Sequence, residues 1–307
     1  MAKLDESAKG VYIISVTPFT DSGVLDLDST DRMVDFYVEK GVTGFTLLGM
    51  MGEAPKLTMA ESRSFVQRVL KRLNGKAPVV VGASSPGFAS MAELTKAVMD
   101  DGAAGVMIAP PGTLKTDDQI VTYYENAAEA IGTSVPFVLQ DFPQSTNVHM
   151  TAGVIARIIK ALPSCVMLKH EDWPGLAKLS ALRAMTDLRR VSILVGNGGV
   201  FLPEEMERGA DGAMTGFAYP EMMTEVVKAY QASKPDRARD IFDAYLPLAR
   251  YEQQPGPGLA IRKYVLQKRG VIASAALRKP GPKLSALDIA ETEKMIARQT
   301  RRLQEIG

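Results

Sequence analysis

Cysteine and histidine are scarce in this chain, and each scarcity removes a class of function. The single cysteine, Cys165, forms no internal disulfide, and no basic neighbour in sequence activates it, so a buried, inert thiol is expected. His149 and His170 are the only histidines, and no metal-spaced cluster surrounds either, so no metal site is expected. No apolar run approaches the roughly 20 residues that span a bilayer. The opening Met1-Ala2-Lys3-Leu4-Asp5-Glu6 is charged and lacks the apolar segment of a signal peptide, which points to the cytoplasm. Excess charge is missing too. A formal net charge of +1 offers nothing to a polyanion or a membrane surface, so neither nucleic acid nor membrane is an expected partner. The basic stretch from Lys294 to Arg302 reads as a solvated helix face.

What is present is a regular alternation. Apolar runs at 11–16, 44–49, 78–82, 105–109, 136–140, 165–169, 192–196 and 212–216 are each followed by a helical pattern. Their continuous rather than alternating hydrophobicity fits parallel strands covered on both faces. Helix signals separate them. Asp28-Ser29-Thr30 opens one helix that ends at Lys40-Gly41, Thr58 and Glu61 form a capping box, and Thr116-Asp117-Asp118 opens another. Eight βα units in about 220 residues predict a closed (β/α)8 TIM barrel. An open doubly wound sheet is the alternative, but no Gly-x-Gly-x-x-Gly opens the first helix.

After about Tyr230 the strand pattern stops. Residues 236–252, 258–269 and 285–305 read as helices, separated by Pro255-Gly256-Pro257-Gly258 and Lys279-Pro280-Gly281-Pro282. The chain is therefore divided into a catalytic barrel, 1–232, and a C-terminal helical extension, 233–307.

The chemistry centres on a lysine that ends an apolar strand, Val166-Met167-Leu168-Lys169. An ammonium buried among apolar side chains tends to give up its proton, and a neutral amine is a nucleophile for carbonyl carbon. Strand alternation places Glu171 on the face of Lys169 and His170 on the opposite face, packed between barrel and helix. The plainer alternative is a strand-end lysine that snorkels to water. Active sites of such barrels lie at the C-terminal strand ends. There the loops Gly49-Met50-Met51-Gly52 and Gly196-Asn197-Gly198-Gly199 let a ligand approach the backbone, with Asn197 as a polar contact.

Thr17-Pro18-Phe19, Gly49-Met50-Met51-Gly52-Glu53, Gln140-Asp141-Phe142-Pro143 and Leu168-Lys169-x-Glu171, in that order, resemble the dihydrodipicolinate synthase / N-acetylneuraminate lyase family. The resemblance implies a class I aldolase-type barrel, a homotetramer, and a Schiff base between Lys169 and the keto carbon of a small 2-oxo acid. No cofactor is implied, because the protonated imine is the electron sink. The departures from the pattern carry information. The family's Gly-Thr-Thr-Gly-Glu is Gly-Met-Met-Gly-Glu here, so only backbone amides remain to hold a carboxylate. The proton-shuttling tyrosine is Gln140, and the arginine that grips a second substrate is Ser145. The Gln-Asp-x-Pro strand end, Lys-x-Glu and Gly212-Ala213-Met214-Thr215-Gly216-Phe217-Ala218-Tyr219-Pro220 are similar to the 2-keto-3-deoxy-L-arabonate dehydratase branch.

On that resemblance the expected reaction is loss of water from a 3-deoxy-2-oxo sugar acid. Lys169 is the expected nucleophile, Glu171 the base or acid, and Gln140 a group that orients a hydroxyl or water. Amides at Met50, Met51 and Gly52 are expected to hold the carboxylate, and Gly196, Asn197 and Thr215 the hydroxylated tail. Ser145 and Met214 complete the substrate-binding set. Met50 and Met51 also supply pocket wall, and Glu53 is expected to pair with loop amides. The rival readings are a pyruvate-dependent aldolase or synthase, and a non-catalytic barrel that binds 2-oxo acids.

Overall fold

The computed structural model describes residues 3–173 and 175–307. Eight parallel strands pair in chain order and close into a barrel: β1 (Gly10–Ile14), β2 (Gly44–Leu47), β3 (Val79–Gly82), β4 (Gly105–Ile108), β5 (Phe137–Asp141), β6 (Cys165–His170), β7 (Ser192–Val195) and β8 (Gly212–Ala213). The helices between and after them begin with α1 (Leu27–Glu39), α2 (Met59–Leu73), α3 (Phe88–Asp100) and α4 (Asp117–Ile131). They continue with α5 (Pro143–Thr146), α6 (Ala152–Ala161), α7 (Leu176–Ala184), α8 (Leu202–Glu207) and α9 (Pro220–Gln231). The C-terminal extension adds α10 (Pro235–Glu252), α11 (Gly258–Lys268) and α12 (Ala286–Ile306).

The predicted TIM barrel is present, and the open sheet is excluded by the pairing of β8 with β1. That seam joins Gly10 to Gly212. Gly212 has φ +146°, and a Cβ there would lie 1.9 Å from the Gly10 carbonyl oxygen, so glycine alone lets the two strands meet. Strand β8 is shorter than its apolar run. Beyond it, however, the Met214 amide still donates to Val195 O, and Thr215 O still accepts from the Ile14 amide.

The capping box of Thr58 and Glu61 forms as the pattern requires. Helix α1 starts earlier than expected, because Asp26 rather than Asp28 is the N-cap and accepts from the Ser29 amide at 2.8 Å. The other end matches, with Lys40 as C-cap and Gly41 at φ +76°.

Two apolar shells follow from strand alternation. Outward-facing residues such as Ile13, Val81, Leu139 and Leu168 pack under the helices. Inward-facing Tyr12, Ile14, Val80, Met107, Val138, Met167, Leu194 and Met214 fill the barrel. The next inward positions above Val138 and Met167 are Gln140 and Lys169, which are register partners in the β5–β6 ladder. Apolar packing therefore stops at the layer where the polar chemistry begins.

The extension is bound to that same end of the barrel by buried charge. The Glu252 carboxylate at the end of α10 accepts from Arg262 Nε of α11 at 2.5 Å and from the Ala218 amide at 3.1 Å. Arg262 Nη2 donates to the Gly216 carbonyl at 2.6 Å. Lys263 Nζ donates to Glu53 Oε1 at 2.6 Å, and Lys56 Nζ to Glu53 Oε2 at 2.9 Å. Glu53 also accepts from the Arg278 amide at 3.0 Å, so its partners are mainly two lysines rather than the expected loop amides. Among the described residues, no helix is long and apolar enough to cross a membrane.

Among the described residues, the buried Glu205 carboxyl has no hydrogen-bond partner. Glu205 on α8 is buried with Oε2 unbonded, and burial foremost, then the neighbouring Glu204, pushes its carboxyl up to about 8. The unfolded value lies near 4.3. Between about 4.3 and 8 the folded chain holds a proton that the unfolded chain has released, so this group's contribution is complete at low pH and is lost as pH rises through the folded value. Glu205→Gln should remove a slope of about 1.4 kcal/mol per pH unit across that window. Thermal melts should show the variant above the parent at pH 9, with the gap closing by pH 4; equal melting curves at pH 9 would count against an unpartnered, buried Glu205.

Candidate active site

Lys169 lies buried at the C-terminal end of β6, with Nζ 2.9 Å from Glu171 Oε2. The same oxygen accepts from Gln140 Nε2 at 2.7 Å. Alternation works as anticipated: Lys169 and Glu171 share the interior face, and His170 points out of the barrel. Snorkelling is excluded, since the Lys169 and Glu171 side chains are only 6% and 7% exposed. Lys169 Nζ is paired with a carboxylate oxygen, as a buried cationic side chain requires.

The backbone of Glu171 is held as tightly as its side chain. Asn197 Nδ2 donates to the Glu171 carbonyl at 2.9 Å. The Gln144 carboxamide, on α5, lies between the same carbonyl and the Trp173 amide; with its amide oriented to suit both, it donates to the carbonyl at 2.8 Å and accepts from Trp173 at 2.9 Å. Gly196 supplies the floor, since a Cβ built there would lie 2.1 Å from Glu171 Cγ.

Behind the strand, His170 packs as expected, its Nδ1 3.3 Å from Asp141 Oδ2 and its Nε2 3.0 Å from Gly175 O. Lys178 Nζ bridges Asp141 and Asp172 at 2.8 and 2.7 Å. Cys165 is fully buried, and that burial pushes its thiol up to about 12, the inert case.

The structure redistributes the predicted binding residues. The loop after β2 closes as a single 3-10 turn over Met50–Gly52, in which the Gly52 amide already donates to Gly49 O at 2.9 Å. Gly52 is thus removed from the carboxylate-holding set. No hydrogen bond from the Met50 or Met51 amide is found among the described residues, so those two remain candidates. The loop is pinned from below by Thr17 Oγ1, which donates to Gly52 O at 2.6 Å.

Ser145 is exposed at the rim and donates to Met50 Sδ at 2.9 Å, while Met51 packs on the barrel interior. Asn197 Nδ2 is taken by the Glu171 carbonyl, and the Gly196 amide and carbonyl are taken by His170 O and the Gly199 amide, so none of these three groups stands free to meet a substrate tail. Gln140 likewise orients Glu171 rather than a bare water. Thr215 Oγ1 accepts from the Gly198 amide at 2.8 Å and keeps its own proton to donate. Met214 is fully buried in the inner shell, beneath the site rather than facing a ligand. Gln144 was missed from sequence; its place one residue after Pro143 carries no signal of its own.

A cavity of about 450 Å³ opens beside Gln140 between the ends of β2, β3, β4 and β5, walled by Leu48, Gly49, Met50, Ser84, Met107 and Ala109. Among the described residues, no group of three or more His, Cys, Asp or Glu is placed to hold a metal ion. The arrangement amounts to an amine and a carboxyl in direct contact at the strand ends, next to Gln140, which also borders the cavity.

Comparison with known proteins agrees with this geometry. The model of the dihydrodipicolinate synthetase family matches residues 7–299. L-2-keto-3-deoxyarabonate dehydratase of Azospirillum brasilense is 30% identical over 283 residues, spanning 90% of this chain and 89% of that protein. The 4-hydroxy-tetrahydrodipicolinate synthase of Sorangium cellulosum is 31% identical over 258 residues, spanning 82% of this chain and 84% of that protein. The crystal structure of a dihydrodipicolinate synthase from Rhodopseudomonas palustris superposes with TM-score 0.95 at 52% identity, covering 97% of this chain and 100% of that one.

The Gly196 floor yields a direct test. Gly196 has φ −110° and ψ −137°, outside the regions alanine favours, so Gly196→Ala adds local backbone strain to the direct clash of its Cβ with the Glu171 side chain. Borohydride trapping of pyruvate on Lys169 should slow by about a hundredfold, the usual result of a displacement near 1 Å, without loss of the folded state by circular dichroism. A trapping rate equal to the parent's would show that Glu171 placement does not govern the amine.

Proposed function

The chain belongs to the dihydrodipicolinate synthetase family, and we propose that within it the protein is a Schiff-base lyase that dehydrates a 3-deoxy-2-oxo sugar acid. The observation that carries this reading is the pair of contacts converging on Glu171 Oε2, from Lys169 at 2.9 Å and Gln140 at 2.7 Å. A proton passing from Lys169 to Glu171 leaves a neutral amine, which attacks the C2 carbonyl; loss of water gives an iminium. Glu171 returns its proton to the departing oxygen in that step and is a carboxylate again. It then takes a C3 proton, now acidified by the iminium, and the enamine forms. The enamine expels the C4 hydroxyl, which leaves as water with the proton Glu171 carries. Hydrolysis of the conjugated iminium frees Lys169. Atoms balance with no redox partner and no cofactor, because the iminium accepts the electron pair.

Gln140 in this scheme is a positioning residue, its amide holding Glu171 against the amine. Free amides at Met50 and Met51 are assigned to the substrate carboxylate. The resemblance to a keto-deoxyarabonate dehydratase supports the substrate class.

A second reading, synthase or aldolase, is favoured by relatives such as the Sorangium and Rhodopseudomonas proteins. Against it stand Gln140, which cannot relay a proton at neutral pH, and Ser145, whose hydroxyl meets Met50 where a cationic anchor is required. The family also supports a cytoplasmic homotetramer, which sedimentation velocity on the purified chain checks: a monomer-sized boundary at micromolar concentration contradicts it.

Mass spectrometry after borohydride treatment with a 3-deoxy-2-oxo pentonate should show one covalent adduct, on Lys169. Turnover should release no pyruvate, and a coupled assay that detects pyruvate would transfer the assignment to the aldolase reading. Glu171→Gln should reach the same final extent of trapping while turnover falls by about 10²–10⁴. Absence of any adduct with every oxo acid tried would point instead to a binding protein.

A further inference from the structure

We propose that Gln253, carried by the C-terminal extension, is the residue that reads the hydroxylated tail of the substrate. The inference rests on the dehydratase reading above and adds a specificity-determining contact from outside the barrel. The Gln253 side chain packs on the β7 loop: a Cβ built on Gly198 would lie 2.2 Å from Gln253 Nε2 and 2.6 Å from its Cγ. Gly198 is one residue from Asn197, which holds Glu171, and its own amide donates to Thr215 Oγ1. Gln253 thus stands over the loop that joins the reacting pair to the end of β8.

Three other carboxamides surround this site, and the NH2 group of each donates to Glu171: Gln140 to the side chain, Asn197 and Gln144 to the backbone carbonyl. Gln253 differs. Its carboxamide has no hydrogen-bond partner among the described residues, although the side chain is half-buried, whereas the adjacent Gln254 donates to Tyr251 O at 2.9 Å. Both a donor and an acceptor therefore remain available, the combination that suits a vicinal hydroxyl chain.

The position is rigid rather than accidental. Gln253 follows Glu252, whose buried carboxylate is bound to Arg262 and Ala218, so the end of α10 is fastened to the end of β8. The simpler account is that Gln253 only fills space above Gly198. That account and ours differ in which ligand is affected.

Two variants separate them. Gln253→Met keeps length and packing without the amide, and Gln253→Ala removes both. Half-saturation of borohydride trapping is measured for pyruvate, which has no tail, and for a 3-deoxy-2-oxo pentonate. Quenching of Trp173, the single tryptophan of the chain, reports the same binding without reduction. Both variants should weaken the pentonate about tenfold, or about 1.4 kcal/mol, and leave pyruvate within about twofold. Equal losses for both ligands, a Met variant indistinguishable from the parent, or no change in either variant would each overturn the assignment. Failure of the parent protein to trap the pentonate, with pyruvate still trapped, would remove the dehydratase reading and the tail contact with it.

Discussion

Lys169 and Glu171 are buried side chains of opposite charge, 2.9 Å apart at the C-terminal end of β6, and the surrounding structure is organised to keep them so. Desolvating two such groups costs several kcal/mol apiece, and their attraction offsets this only while the geometry is maintained. Here the geometry is over-determined. Gln140 holds the carboxylate, Asn197 and Gln144 hold the carbonyl, and Gly196 leaves room for the Cγ. Loosening any one of these would leave a buried charge partly uncompensated, which links the stability of the barrel rim to the chemistry of the amine.

The same reasoning accounts for the extension. Two fully buried ion pairs act here: Glu252–Arg262 joins α10 to α11 and reaches the loop after β8 through the Ala218 amide, and Glu53–Lys263 joins α11 to the loop after β2. Arg262 also takes the Gly216 carbonyl at the end of β8, and Lys263 reaches the loop after β2 that carries Met50 and Met51. Two of the loops that frame the site are therefore fastened by groups from the last quarter of the chain. The extension is tied by buried charge to the loops that frame the site and is not an independent appendage.

Much of the barrel could be read from local pattern. Apolar runs and capping residues locate all eight strands, and the alternation within β6 places Glu171 with Lys169 and His170 behind them. Errors fell where a pattern has no local signature. Helix α1 starts at Asp26 rather than Asp28 because either aspartate suits an N-cap and only the chain path chooses between them. Gly52 was offered to a substrate although its amide closes the turn, since a Gly-rich loop does not disclose which amides it consumes. Asn197 was read as facing a ligand because an asparagine at a strand end has the same appearance whether its partner is a substrate or the carbonyl of Glu171.

From the sequence alone came the (β/α)8 order, the lysine on an interior strand face and the carboxylate two residues on, because periodicity and turn chemistry act between near neighbours. The tertiary structure alone decided how the polar groups were shared out: which carboxamides are committed to Glu171, which remains unspent above Gly198, and which distant lysine joins Lys56 on Glu53. Those pairings join residues far apart in the chain. Burial strongly favours a partner for each charge and amide, but only the closed barrel brings the competing partners within reach, so their choice has no trace in local pattern.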